Sequence, residues 1–268
     1  MATFFGEILP VSSRAVEEED DDDDLPSYYS NSKVCWTDDV TGQLNKNGKL
    51  TCSVLMIATD NVSCAFLEAY LRSDDDTLLG GVFCGVSDEE QLSLQSKINK
   101  ISTIYRVAKY PSIFVCQCQT KVHPEQSFSW VQQIFSNLDC TNCDIVVLSS
   151  AVTCDYKTDV PLSEIKTPFL KALYTDQMKP SCICSTLEQP NIISSLPAQI
   201  LAYSQINELK SSLFVCYTDV IHFDITTVKA FLPVLKLPTL KNLQINPDAE
   251  KKLIQIMKRN NDGSLLYL

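Results

Sequence analysis

Cys140-Thr-Asn-Cys143 is the spacing in this sequence that best matches a chemical centre, because two thiols separated by two residues occur in zinc sites and in redox pairs. Zinc would need two more ligands at a matched spacing, and the chain's two histidines, His123 and His222, stand far apart. The pair also follows the end of a predicted helix, where no helix dipole lowers a thiol pKa. We therefore expect no metal and no cofactor, and we retain a thiol redox module using Cys140 and Cys143 as one alternative function.

A second group of polar residues surrounds His222, which lies between Asp219 and Asp224 just after a predicted buried strand. Asp60 and Asn61 follow another such strand, and parallel α/β sheets place ligands at strand ends. An α/β enzyme of the phosphorylase or hydrolase-like kind, using Asp60, Asn61, Asp219 and His222, is therefore the other alternative. No G-x-S-x-G elbow accompanies these residues, and a hydrogen-bonded surface histidine explains the pattern equally well.

Nucleotides and nucleic acids are poor candidates for partners. The turn at Asp60 could cap a helix, but the chain has seven glycines and neither G-x-G-x-x-G nor G-x-x-x-x-G-K-[ST] occurs. The net charge is −11 and no basic stripe is present. Because affinity for nucleic acid depends on basic groups at the phosphates, we expect no nucleic-acid partner.

Most of the net charge comes from the acidic run Glu17–Asp24, whose eight carboxylates leave −3 for the rest of the chain. Such a run repels itself and cannot be buried. We therefore predict a mostly disordered acidic leader over residues 1–48 and a single α/β domain over residues 49–260. Residues 261–268 are predicted to be a flexible C-terminal tail, since a polar, glycine-containing spacer precedes its last residues.

Composition indicates a cytoplasmic globular protein. The chain of 268 residues is 45% hydrophobic, enough to bury a sizeable core. The sequence contains no run of 18 apolar residues, so we expect no transmembrane helix. The N-terminus lacks the basic-then-apolar pattern of a signal peptide. Most of the twelve cysteines lie in apolar runs, where a thiol behaves as a small hydrophobe. We expect them to be free thiols, as in a reducing compartment.

The predicted elements alternate between strands and helices. Continuous apolar runs predict strands covered on both faces, and they are Thr51–Ala58, Asp144–Ser149 and Leu213–Tyr217. Apolar residues at helical spacing, with a capping residue or a proline at the start, predict helices from Asp60 to Tyr70, Pro124 to Leu138, Ser195 to about Leu209, and after Asp224 and Asn246. This order predicts an α/β fold in which a largely parallel or mixed central sheet is flanked by helices.

The remaining strands are predicted less directly. Ile101–Val107 and Ser112–Cys118 are apolar runs separated by a proline-containing turn, which suits an antiparallel pair. A weak edge strand is predicted at Val82–Cys84. Thr167–Tyr174 fits a helix and an exposed strand equally well, and both remain open.

Several stretches, taken together and in order, closely resemble the proteasome assembly chaperone family. They are Thr3–Glu7, Val115–Cys118, Asp155–Lys157, Leu187–Ile192, Leu196–Ala198, Phe214–Val220 and Thr227–Phe231. None has a chemical meaning of its own, so the resemblance depends on their number and their order along nearly the whole chain.

The resemblance implies a non-catalytic chaperone of 20S proteasome assembly with an α/β fold. It implies an obligate heterodimer with proteasome assembly chaperone 2, which gathers α-subunits into the heptameric α-ring and prevents off-pathway ring dimers. It also adds association with the endoplasmic reticulum as a second location beside the cytoplasm.

The last three residues, Leu266, Tyr267 and Leu268, match the hydrophobic–tyrosine–any-residue motif of proteasome-binding regulators. The motif alone is weak, since a penultimate tyrosine also arises by chance. The family resemblance implies that this segment, called the docking tail below, inserts between α-subunits of the 20S ring. Leu266 would fill an apolar notch, the ring of Tyr267 would pack, and the terminal carboxylate of Leu268 would meet a lysine through charge-assisted hydrogen bonds.

Overall fold

An eight-stranded mixed sheet runs through the protein, as a computed structural model describing residues 31–85, 102–219 and 224–265 shows. The strands are β1 (Lys33–Trp36), β2 (Leu50–Thr51), β3 (Val54–Ala58), β4 (Thr77–Phe83), β5 (Ser102–Arg106), β6 (Ile113–Cys118), β7 (Leu138–Asp139), β8 (Asp144–Val152), β9 (Phe169–Tyr174) and β10 (Lys210–Thr218). The helices are α1 (Asp38–Thr41), α2 (Asn61–Tyr70), α3 (Pro124–Asn137), α4 (Ser195–Ile206), α5 (Ile225–Lys229) and α6 (Ala249–Leu265), and short 3-10 turns include Leu232–Lys236.

The sheet has the order β1-β4-β5-β6-β3-β8-β10-β9, with β2 and β7 forming a small separate ladder. The four central strands β6, β3, β8 and β10 are parallel to one another. The outer strands on both sides pair antiparallel. The predicted mixed sheet flanked by helices is therefore confirmed, and its parallel part is confined to the centre.

Side chains of the central strands alternate between two apolar layers. In β8, Val146 and Leu148 face the layer under α2, α5 and α6, while Ile145 and Val147 face the layer under α3 and α4. All four are fully buried. Coverage on both faces explains why these strands lack the alternation of a surface strand.

Several predicted elements are confirmed. The β5–β6 antiparallel pair forms with its turn at Lys109–Pro111. Asp60 caps α2 through a capping box with Ser63. The ambiguous Thr167–Tyr174 stretch is strand β9, because its backbone pairs with β10. All twelve cysteines are free thiols.

Within the predicted leader over residues 1–48, Lys33–Trp36 forms β1 and pairs with β4. The acidic run and the rest of residues 1–30 lie outside the described residues. Strand β1 can approach β4 because Gly80 has no side chain: a Cβ there would lie 2.3 Å from the carbonyl oxygen of Cys35. For the same reason β4 is an interior strand and not the predicted edge.

The helix predicted after Asp224 and the helix containing Phe128 also differ from expectation. Helix α5 ends at Lys229, and Pro233 sits in the following 3-10 turn because proline cannot continue an α-helix. In α3, Phe128 is 57% exposed, whereas Trp130 and Ile134 are fully buried. Phe128 therefore lies outside the buried face of α3, although it is apolar.

Residues 261–265, the first part of the predicted tail over 261–268, continue α6 as far as Leu265. Adding residues to an existing helix gains one backbone hydrogen bond per residue, so a helix anchored elsewhere can extend through weak helix formers such as Gly263. Among the described helices, none has the length and apolar character needed to cross a membrane.

Candidate functional site

The docking tail follows directly on α6, although Leu266, Tyr267 and Leu268 themselves lie outside the described residues. Helix α6 is held to the body by one apolar face, on which Ala249, Leu253 and Ile256 are buried. This face packs against α2 and joins the layer under α2 and α5. The predicted apolar face of the last helix is confirmed.

Polar contacts fix the other sides of α6. Lys229 Nζ lies 2.6 Å from Glu250 Oε1, and Arg259 Nη2 lies 3.3 Å from Glu68 Oε1. The hydrogen bond from Lys229 lowers the pKa of Glu250. Because these groups are exposed, each pair adds little stability. Together they connect α6 to α5 near its start and to α2 farther along.

A cavity of about 410 Å³ opens at the carboxyl ends of β3, β6 and β8 and at the start of α4. Its lining comprises Thr59, Asp60, Asn61, Cys118, Gln119, Lys121, Val122, Ser149, Ser150, Ser194, Ser195, Leu196 and Pro197. This is the edge of a parallel sheet at which α/β proteins hold ligands.

Asp60 has a structural task at this cavity. One of its carboxylate oxygens accepts a hydrogen bond from the amide of Ser63 at 3.0 Å, and the other accepts from the amide of Ser150 at 2.6 Å. It thus caps α2 and ties that helix to the end of β8. Asn61, the first residue of α2, lies beside it on the cavity wall.

The predicted cluster around His222 is only partly described. Asp219 is an exposed residue just after β10, and His222 lies outside the described residues. Asp224 caps α5 by accepting from the amide of Thr227 at 2.7 Å. Burial acts to raise the pKa of Asp224, but its hydrogen bonds with Thr227 outweigh burial and hold that pKa below the usual range.

The thiol pair at Cys140 and Cys143 includes a third cysteine that sequence spacing did not reveal. Cys52 Sγ lies 3.5 Å from Cys143 Sγ, because β2 and β7 run side by side and bring residues 52 and 140 together. Interactions with Cys143 and Cys52 lower the pKa of Cys140. Interactions with Cys140 and Cys52 raise the pKa of Cys143. All three are at most 5% exposed, and no group of the described residues is arranged to hold a metal ion.

Two stretches that carry the family resemblance meet in the structure. Tyr156 donates a hydrogen bond to Glu188, and Lys171 Nζ lies 2.8 Å from the same carboxylate. Partial burial acts to raise the pKa of Glu188, but these two donors hold it below the usual range. Asn191 completes the link by accepting from the amide of Lys157 at 2.7 Å and donating to its carbonyl at 2.8 Å.

Helix α4 presents more apolar surface than its own packing uses. Leu196 and Ile200 are buried, and Tyr203 stacks on Phe135 with ring centroids 4.9 Å apart. Ile206, at the end of the helix, is 81% exposed, and Ile192, which precedes the start of the helix, is equally exposed. The predicted start of this helix is corrected in detail: Ser194 precedes the first turn and makes no side-chain cap, so Ser195 is not the cap.

Comparison with known proteins assigns the chain to a family. A family model described as Proteasome assembly chaperone 4 matches residues 1–268. The human protein named Proteasome assembly chaperone 1 is 34% identical over 226 residues, covering 82% of this chain and 77% of that protein. The Xenopus laevis protein of the same name is 31% identical over an alignment of 293 residues that covers 100% of both chains.

Solved structures share the fold at low identity. Pyrococcus furiosus PbaA, described as an archaeal homolog of proteasome-assembly chaperone, gives a TM-score of 0.56 at 12% identity over 85% of this chain and 94% of that chain. Pyrococcus furiosus PbaB, described as an archaeal proteasome activator, gives 0.52 at 11% identity over 88% and 97%. With a family match along the full sequence and relatives above 30% identity, the chain belongs to the proteasome assembly chaperone family.

Proposed function

We propose that this protein is a non-catalytic chaperone of 20S proteasome assembly that acts in the cytoplasm as a heterodimer with proteasome assembly chaperone 2. In this role it gathers α-subunits into the heptameric α-ring and prevents off-pathway ring dimers. The observation that carries the proposal is the family match along all 268 residues, together with relatives named Proteasome assembly chaperone 1.

The docking tail is the proposed contact with the α-ring. Leu266 fills an apolar notch between α-subunits, Tyr267 packs its ring while its hydroxyl finds a partner, and the carboxylate of Leu268 pairs with a lysine. Helix α6 supports this role, because its buried face and its ion pairs hold it to the body as far as Arg259. The helix then continues to Leu265, the residue before the tail.

Magnitudes explain why a folded body is needed. Burying a tyrosine and a leucine removes roughly 250–350 Å² from water, which is worth about 6–9 kcal/mol before costs. Association and ordering consume at least about 4 kcal/mol and often far more. The tail alone should bind weakly, whereas a tail joined to a body and to a partner's second contact gains effective concentration.

Removing the tyrosine tests the tail. The chain is co-purified with proteasome assembly chaperone 2 and 20S α-subunits, and the complexes are weighed by native mass spectrometry. Tyr267→Ala should lose the α-subunit complexes while keeping the heterodimer, and Tyr267→Phe should retain most of them because the ring remains. Adding one residue after Leu268 should act like Tyr267→Ala, since it moves the terminal carboxylate. Unchanged α-subunit binding by Tyr267→Ala would remove the tail from the mechanism.

The chaperone role itself is tested by the same complexes. The proposal requires that the wild-type chain appear with its partner and with α-subunits. A wild-type sample that forms neither complex contradicts the proposed function and not merely the role of the tail.

A further inference from the structure

The cavity at the strand ends has a feature that the chaperone role does not use: a serine hydroxyl on its lining to which no described protein group is hydrogen-bonded. Ser149 is 7% exposed and lines the cavity. Within the described parts of the chain its side chain makes no hydrogen bond. Because this hydroxyl is not engaged by the protein, it can hydrogen-bond to whatever occupies the cavity.

A second unused donor belongs to the start of α4, which also lines the cavity. Ser194 precedes α4 but makes no side-chain cap, and the third residue of the helix is Pro197, which has no amide hydrogen. The amide of Leu196 is therefore the donor that a cap would normally satisfy. Leu196 lines the same cavity as Ser149. A helix start of this kind favours a negatively charged group, because the helix dipole is positive there.

The charges of the cavity fit an anion at the α4 side. Lys121 is an exposed cation on the lining. The one carboxylate on the lining, Asp60, has both of its oxygens occupied by the amides of Ser63 and Ser150, and the positive end of α2 offsets its charge. The free donors are thus a hydroxyl, an amide and an ammonium group, whereas the acidic group is already engaged.

We propose that this cavity binds a small phosphate-bearing molecule through Ser149, the start of α4 at Leu196, and Lys121. Three donors on one lining suit a phosphate, which offers three strong acceptor oxygens, better than a carboxylate with two. A volume of about 410 Å³ exceeds that of a lone phosphate and falls in the usual range for small-molecule sites. The site uses the uncapped α4 and not a glycine-rich loop, which explains why no phosphate-loop motif marks it in the sequence.

Thermal unfolding of the full chain tests the site, with inorganic phosphate and adenosine monophosphate as probes and sodium chloride at equal ionic strength as the reference. Binding to the folded state raises Tm with ligand concentration. We expect both probes to raise Tm above the chloride reference. A larger effect of the nucleotide identifies an organic phosphate as the occupant, whereas equal effects identify the phosphate group alone. No rise above chloride with either probe would overturn the proposal.

Substitutions locate the binding. Ser149→Ala should leave Tm without ligand unchanged or higher, because the lost hydroxyl had no partner, yet should weaken the apparent affinity for phosphate at least tenfold. Lys121→Gln should weaken it similarly, and Lys179→Gln, which removes an exposed lysine outside the lining, should not. If Ser149→Ala and Lys121→Gln respond to phosphate as Lys179→Gln does, the phosphate binds elsewhere and the proposal is wrong. None of these measurements involves proteasome subunits, so failure here leaves the chaperone proposal intact.

Discussion

Helices α4 and α6 solve the same packing problem in different ways. In α6 the buried residues Leu253 and Ile256 lie on one face, and Glu250 and Arg259 form ion pairs with the body. In α4 only Leu196, Ile200 and Ser204 are buried, yet apolar residues continue to the exposed Ile206. Helix α6 leaves Ile254 only 45% exposed, whereas α4 ends in Ile206, which is 81% exposed, so α4 carries the larger apolar side-chain exposure at a single position.

The comparison predicts that α6 is sensitive to core truncation. Leu253→Ala should lower the free energy of unfolding by about 2–5 kcal/mol, through lost burial and the cavity left behind. Urea denaturation measures the change. Ile254→Ala is the matched control, because its neighbouring side chain is 45% exposed, and it should change stability by less than about 0.5 kcal/mol. Equal losses in the two variants would show that α6 is not anchored through Leu253.

The first residues of two helices provide a second comparison: α2 is capped by the side chain of Asp60, whereas α4 has no side-chain cap. Asp60→Ala should cost about 1–2 kcal/mol, because it removes the cap of α2 and leaves the amide of Ser150 without its acceptor. Ser194→Ala should cost less than about 0.5 kcal/mol, because no cap is lost. Urea denaturation of both variants checks the order, and a larger loss in Ser194→Ala would contradict the assignment of the caps.

Removing one methylene group from Ile200, in the middle of α4, and from Ile206, at its end, compares the two positions. Ile200→Val should lower the free energy of unfolding by about 0.5–1.5 kcal/mol, as is typical of a fully buried isoleucine. The same substitution at Ile206, which is 81% exposed, should have no measurable effect. If Ile206→Val destabilises the isolated chain as much, the end of α4 contributes to folding and the contrast with α6 fails.

The smallest expected effect concerns the cap of α5 and its dependence on pH. The pKa of Asp224 is lower in the folded chain than its unfolded value of about 3.9. Its ionised form therefore adds stability above that value, and this contribution is lost as pH falls through the folded pKa. Asp224→Asn keeps a capping side chain without the charge. The stability difference between wild type and Asp224→Asn, measured by urea denaturation, should shrink between pH 6 and pH 3, and a constant difference would contradict the pKa shift.

The sequence predicted those elements whose conformation follows from burial on both faces or from a local capping residue. Strand β10 contains an unbroken apolar run because both of its faces are buried, and Asp60 marked a cap because capping is local. Strand β9 remained ambiguous because pairing with β10, a tertiary contact, decides its conformation. Strand β1 was missed because its order depends on a close approach to Gly80, far along the chain.

The candidate sites differ in the same way. The docking tail is a contiguous string, so a family resemblance could identify it, and its docking stays a prediction. The strand-end cavity draws its walls from residues 59–61, 118–122, 149–150 and 194–197, which no spacing rule connects. Cys52 joined Cys140 and Cys143 only through the pairing of β2 with β7. Sites assembled by topology require the fold before they can be recognised.

The outer side of β9 is closed by the chain itself. The amide of Ala172 donates to the carbonyl of Ser185 at 3.0 Å, and the amide of Leu187 donates to the carbonyl of Ala172 at 2.8 Å, with Thr186 bridging in parallel. An open edge strand is a template for pairing with other chains. In a protein proposed to gather other subunits, the contacts at Ala172 hinder a strand of another chain from pairing with this border of the sheet.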